Sequence, residues 1–189
     1  RVDRRQRQMC IRDRNGAANF AFANRSALTH RLRQTLATEI DVETRLLYDV
    51  SHNIAKIENH VIHGKTCTCC VHRKGATRAL PGQPVLVPGD MGTGSWLLEG
   101  KEGNRAFSSS CHGAGRLLSR SQAKKQIDGK ALKRELESRG IRIHANTSNI
   151  ISEEAPDAYK DVDEVIGLTN SAGLTKPIAR MMPLAVIKG

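Results

Sequence analysis

Cys111-His112-Gly113-Ala114-Gly115-Arg116 sets an imidazole directly before three small residues and a fixed cation. Small residues let backbone N–H groups come close to an oxyanion, and a helix starting here would aim its N-terminal dipole at the same point. A histidine so placed can attack a phosphorus atom or donate a proton beside one, with Arg116 neutralising the charge that develops. That is phosphoryl or nucleotidyl chemistry. The same six residues also fit a helix N-terminus packed tightly through its glycines, so the motif alone carries two readings.

Three further groups of residues have chemical potential. Tyr48-Asp49-Val50-Ser51-His52-Asn53 puts His52 in a segment that otherwise reads as buried; such a histidine is a satisfied core residue unless other ligands join it around a metal. Cys67, Cys69, Cys70 and His72 have zinc-ligand chemistry, but their spacing is one and zero where a knuckle needs two. In an extended segment Cys67 and Cys69 share one face and Cys70 and His72 the other, which reads as a strand filled with small hydrophobes. Arg73-Lys74 and the pair Arg116 and Arg120 are basic. A helix following His112 would put Arg116 and Arg120 one turn apart, suited to two phosphates or to a solvated charged face.

The elements that must position these residues mix helices and strands. Phe20, Leu28, Leu32 and Leu36 fall at multiples of four with no proline between, so Gly16 to about Glu39 reads as helix, with Arg25, Arg31 and Arg33 on a solvated face. Leu46 to Ile57 reads as extended, and His72 to Arg78 as a basic loop around Gly75. Pro81-Gly82 and Pro88-Gly89 bracket a strand at Val85-Leu86-Val87, and Trp96-Leu97-Leu98 is another. Helices are expected from the His112 motif to about Lys125, from Gly129 to Arg139, and from Val162 to Ala172 with Gly173 as its stop. Ile141-Arg142-Ile143 and the terminal Pro183 to Gly189 read as strands. Without regular alternation, this is an α+β chain.

The 189 residues allow one domain, and 39% hydrophobic content is enough for a packed core. No apolar run reaches membrane-spanning length, and five cysteines, three of them crowded into Cys67 to Cys70, suit reduced thiols in a cytoplasm. The net charge of +11 calls for a polyanionic partner such as nucleic acid. Only 3% of residues are aromatic, so a nucleic acid would be gripped by phosphates rather than stacked bases. Residues 1–14, with six arginines against two aspartates, resemble one reading frame of a DNA-sequencing adapter. They are expected to be non-native and disordered, and residues 15–189 to be part of a single domain whose N-terminal half is missing. The alternative for 1–14 is a basic arm that binds RNA.

Seven segments, taken together, resemble the C-terminal portion of the RtcB-type RNA ligase family, the GTP-dependent tRNA-splicing ligases. They are Ala17 to Arg25, Tyr48 to Glu58, His72 to Arg78, Gly82 to Ser95, Cys111 to Arg120, Glu153 to Lys160, and Ala185 to Gly189, in the family's order.

The resemblance implies an RNA ligase joining 3′-phosphate or 2′,3′-cyclic phosphate ends to 5′-hydroxyl ends, in tRNA splicing or RNA repair. His112 matches the nucleophile that becomes a histidine–GMP adduct; Lys74 and Arg116 match cations of the catalytic site. Asp90, Ser95, Gly113, Ala114, Gly115, Tyr159 and Lys188 match nucleotide-binding positions, although some members carry serine at the Asp90 position. Arg73 and Arg120 are expected at RNA phosphates. His52 matches a manganese ligand, and the family implies two Mn2+ per complete site, GTP as cosubstrate and an archease-type activator as a partner. The family's other manganese ligands lie in its N-terminal half, so this portion alone is expected to be inactive. A non-catalytic RNA- or nucleotide-binding module is the alternative, and a small zinc-bound protein centred on Cys67 to His72 a third.

Overall fold

A computed structural model describes residues 4–51 and 53–188, with side chains from Gly16 onward. The chain divides into two compact units, up to Thr77 and from Arg78.

The first unit opens on a long helix, α1 (Arg4–Ile40), which contains no proline. Its backbone begins within the stretch whose sequence predicts disorder. The four-residue apolar spacing does give a helix, yet Phe20, Leu28 and Leu32 are all exposed. Arg25 is not simply solvated: its Nε donates to Asp49 at 2.7 Å and its guanidinium lies 4.3 Å from the Phe22 ring centre. Residues 41–51 have no regular structure, so the extended segment expected from Leu46 starts later, at β1 (Asn53–Ile62). It pairs antiparallel with β2 (Lys65–Lys74). His63 and Gly64 between them both have positive φ, 49° and 76°, as a two-residue hairpin turn of the right twist requires. The basic stretch read as a loop is thus strand as far as Lys74.

Glu58 joins the hairpin across its width. Arg73, 2% exposed, donates from both terminal nitrogens to the two Glu58 oxygens at 2.9 and 2.8 Å, and His60 lies 3.1 Å from Oε2. Desolvation pushes the Glu58 carboxyl up, but the Arg73 and His60 bonds outweigh it and hold the group below its ordinary range. The fork fixes the Arg73 guanidinium against Glu58 within the hairpin. Cys67 and Cys69 are half-buried and Cys70 is exposed, with its Sγ 3.4 Å from His72 Nε2, which is the face alternation the spacing predicts.

The second unit starts at the last residue of β3 (Ala76–Arg78), and contains β4 (Pro84–Val87), β5 (Ser95–Gly100), β6 (Ser109–Cys111), α2 (Arg120–Gln126), α3 (Gly129–Ser138), β7 (Arg142–Ala145), α4 (Ser148–Glu153), α5 (Val162–Ser171), β8 (Thr175–Met181) and β9 (Ala185–Lys188). This is a mixed α+β arrangement of small sheets.

Two apolar cores hold it. β4, β5 and β8 form an antiparallel sheet, and α5 lays Val162 and Ile166 against Ala79, Val85, Val87 and Leu98. Burial of each large aliphatic side chain contributes about 1.5–3 kcal/mol. Asp161 caps α5 by accepting from Asp163 N–H, and Gly173, with φ +72°, lets the chain leave it. In the second core α3 and α4 bring Leu136 and Ile151 against Met91, Ile141 and Ile143. There β7 and β9 run parallel, pairing Ala145 with Lys188, so the terminal strand is fixed beside this core.

Candidate active site

The residues after His112 do not start a helix. Ser119 and Gln122 form a capping box, each side chain bonding the other's backbone, and that fixes the start of α2 at Arg120. The expectations of a helix dipole at Gly113 and of Arg116 and Arg120 on one helical face are both corrected by this cap. His112 to Leu118 is instead a loop strapped to a second segment. Lys160 N–H donates to Gly115 O at 2.9 Å, and Leu117 and Leu118 N–H both donate to Ala158 O, at 2.8 and 3.2 Å.

Glycine does not serve close packing here. A Cβ added at Gly113 or Gly115 would meet nothing within 4 Å among the described residues. Gly115 has a φ of +83°, so its need for glycine is conformational. Gly113 has neither reason, and its small size leaves open space beside His112. Cys111 and Ala114 pack on the α5 core on either side of the histidine. Burial pushes the Cys111 thiol up, which keeps it protonated and a poor nucleophile. His112 is half-buried, with Nδ1 covered.

Arg116 is held by every arm of its guanidinium. Nε donates to Leu118 O at 2.9 Å, Nη1 to the Tyr159 hydroxyl at 2.7 Å and to Glu154 Oε1 at 3.3 Å, and Nη2 to Glu153 O. Its plane lies 4.6 Å from the Tyr159 ring centre. The Tyr159 hydroxyl in turn donates to Glu154 Oε2, and Lys188 Nζ lies 4.0 Å from that oxygen. Arg120 Nε is 3.7 Å from Glu154 Oε1 and 3.8 Å from Glu153 Oε2, while Lys124 pairs with Glu153. Tyr159 is pushed up to about 12, by burial first and then by the Glu154 bond and charge. The Lys124 bond holds the Glu153 carboxyl below its ordinary range.

Lys188 also lines a cleft of about 490 Å³ with Asp90, Ser95, Met182 and Val186. Its floor is rigid. Ser95 Oγ accepts from Gly89 N–H at 3.0 Å, and Asp90 Oδ1 accepts from Gly92 and Thr93 N–H at 2.8 and 2.9 Å.

The fold therefore brings together, within the second unit, Arg116, Arg120, Tyr159 and Lys188 on one carboxylate, and Asp90, Ser95 and Lys188 on one cleft. Arg73 and Lys74 belong to the hairpin of the first unit, where Lys74 is exposed. His52 lies outside the described residues. Among the described residues no group of three or more His, Cys, Asp and Glu could hold a metal ion, the cysteine cluster included. None of the helices described is long and apolar enough to cross a membrane.

A family model for the tRNA-splicing ligase RtcB matches residues 1–189. The chain belongs to the RtcB family. The RNA-splicing ligase RtcB of Mycobacterium tuberculosis is 49% identical over 186 residues, covering 92% of this chain and 43% of the relative. The tRNA-splicing ligase RtcB of Thermococcus kodakarensis is 48% identical over 193 residues, covering 92% and 40%. That of Pyrococcus horikoshii is 46% identical over 194 residues, covering 92% and 22%. The chain thus spans less than half the length of these RtcB relatives.

Sequence reasoning missed Glu153 and Glu154. Both lie in the Glu153 to Lys160 segment, whose sequence-predicted site residue is Tyr159. The available signal was their sign: two adjacent carboxylates in a chain of net charge +11, beside a motif rich in cations.

Proposed function

We propose that, in a protein of its relatives' length, this chain supplies the guanylyl-carrying part of an RNA ligase. It would join 3′-phosphate or 2′,3′-cyclic phosphate ends to 5′-hydroxyl ends in tRNA splicing or RNA repair. The observation that carries the reading is the gathering of Arg116, Arg120, Tyr159 and Lys188 around Glu154, with Arg116 on the His112 loop itself.

In this reading Nε2 of His112 attacks the α-phosphorus of GTP. A P–N bond forms, the bond to the β-phosphate oxygen breaks, and pyrophosphate leaves. An oxygen of an RNA 3′-phosphate then attacks the same phosphorus, breaks the P–N bond and takes GMP. A 5′-hydroxyl oxygen finally attacks the RNA phosphorus, its proton going to solvent, and GMP leaves as the chains join. A 2′,3′-cyclic end is first opened by water to the 3′-phosphate. Arg116 and Arg120 oppose the charge that grows on the phosphoryl oxygens, and the space at Gly113 admits them. Lys74 and Arg73 remain assigned by family position, to the phosphates of GTP or RNA.

Two Mn2+ ions belong to the reading, with His52 assigned as a ligand by family position. Bound, they would stabilise charge on the phosphates. The described residues do not complete such a site.

The test is incubation of a full-length protein carrying this chain with α-phosphate-labelled GTP and manganese. Acid-labile, alkali-stable label is expected on the protein and none on His112→Ala. Label that persists in His112→Ala refutes the nucleophile. No label on the wild type favours the non-catalytic binding module. Residues 15–189 alone are expected to take no label.

A further inference from the structure

Resting on that reading, we infer that Glu154 is a positioning residue that sets nucleobase selectivity, by holding the Lys188 ammonium and the Tyr159 phenol in place around the nucleotide. Glu154 follows directly on α4, which Thr147 caps and Ile151 anchors in the second core, so its backbone is fixed before any ligand arrives. Its carboxylate is one-fifth exposed and meets groups from four separate segments: the His112 loop, the first turn of α2, Tyr159, and β9. Three of those groups are cations, and without the carboxylate they would face one another.

The cleft beside Lys188 says which part of a nucleotide it suits. Lys188 is the one cation among the lining residues; Asp90 adds a negative charge, and Met181 and Met182 add apolar, polarisable side chains. That is a poor place for a triphosphate and a good one for a flat heterocycle with a carbonyl at its edge. An ammonium donates to the O6 carbonyl of guanine but meets the amino group of adenine with two donors face to face. Lysine has four stem bonds to order, so its discrimination depends on what holds it. At 4.0 Å the Glu154 pairing directs the ammonium while leaving N–H groups for a base.

The test uses Glu154→Gln, which keeps shape and a bond to Tyr159 but loses the charge, and Glu154→Asp, which keeps the charge on a shorter stem. In the full-length protein, labelling by GTP is measured with unlabelled ATP and ITP as competitors. For Glu154→Gln the GTP concentration at half-saturation rises about tenfold. ATP gains about tenfold as a competitor relative to GTP, and ITP, which keeps the O6 carbonyl, follows GTP. Glu154→Asp recovers part of the selectivity. Unchanged half-saturation and unchanged ATP competition in both variants overturn the inference. So does a loss confined to the saturated rate, or one that matches a fall in melting temperature and is equal for all nucleotides. A wild type that takes no label removes the underlying reading instead, which is a separate outcome.

Discussion

Arg116 both stacks on Tyr159, 4.6 Å from its ring centre, and donates to that residue's hydroxyl at 2.7 Å. The hydroxyl in turn donates a hydrogen bond to Glu154, so cation, phenol and carboxylate form one relay across residues as much as 43 positions apart. A relay of this kind fixes orientation more than it adds stability, because every charge in it is partly compensated.

Arg116→Lys is therefore not a conservative change. One ammonium cannot reach Leu118 O, Glu153 O and the Tyr159 hydroxyl together, and it does not stack as a flat guanidinium does. The expected cost is about 1–3 kcal/mol in denaturant unfolding. Labelling of His112 by GTP should slow by tenfold or more at saturation. Wild-type labelling in Arg116→Lys would show that only the charge of this residue matters.

Tyr159 predicts a stability change at high pH. Its folded pKa of about 12 lies above the ordinary value of 10, through burial first and Glu154 second. The folded state therefore holds this proton more tightly than the unfolded chain does. The stabilisation is fully present below pH 10 and is lost as pH rises from there through 12. Ultraviolet titration of tyrosinate should show a late transition that vanishes in Tyr159→Phe. In Glu154→Gln it should move down only part of the way, since burial remains. Stability measured across the same window should fall less steeply for Tyr159→Phe than for the wild type.

The parts of this fold that sequence made legible are those with local causes. α1 and α5 follow from apolar spacing, and α5 shows both of its stops, Asp161 and Gly173, in the chain itself. β4 and β5 are bracketed by their turn residues. The strand β8 was hidden by Pro177, which a sheet tolerates because β8 lies at the edge of the β4, β5, β8 order. α4, at six residues, is too short to show a period. The hairpin turn at His63-Gly64 was hidden because it lacks the Asn-Gly or Asp-Gly pair that signals a two-residue turn. Within the site, motif order pointed to the gathered residues one by one, but not to the carboxylate that gathers them. Glu154 and Lys188 lie 34 positions apart, and nothing local in either segment records their meeting.

Two glycines separate close packing from room for a substrate. At Gly89 an added Cβ would lie 2.2 Å from Gly94 O, backbone against backbone, with no side chain to move aside. Gly89→Ala must then open the turn that bonds Ser95 Oγ, at a cost of about 1–3 kcal/mol. At Gly113 the same methyl group meets nothing within 4 Å among the described residues, and φ is not in the left-handed region. Gly113→Ala should fold with wild-type stability to within about 0.5 kcal/mol. Its labelling by GTP should nonetheless fall at least tenfold, because the methyl group occupies space that the reading above gives to the α-phosphate. Melting and labelling measured on both variants decide the matter. Gly113→Ala that is stable and fully labelled would mean the space beside His112 is not where the phosphate goes.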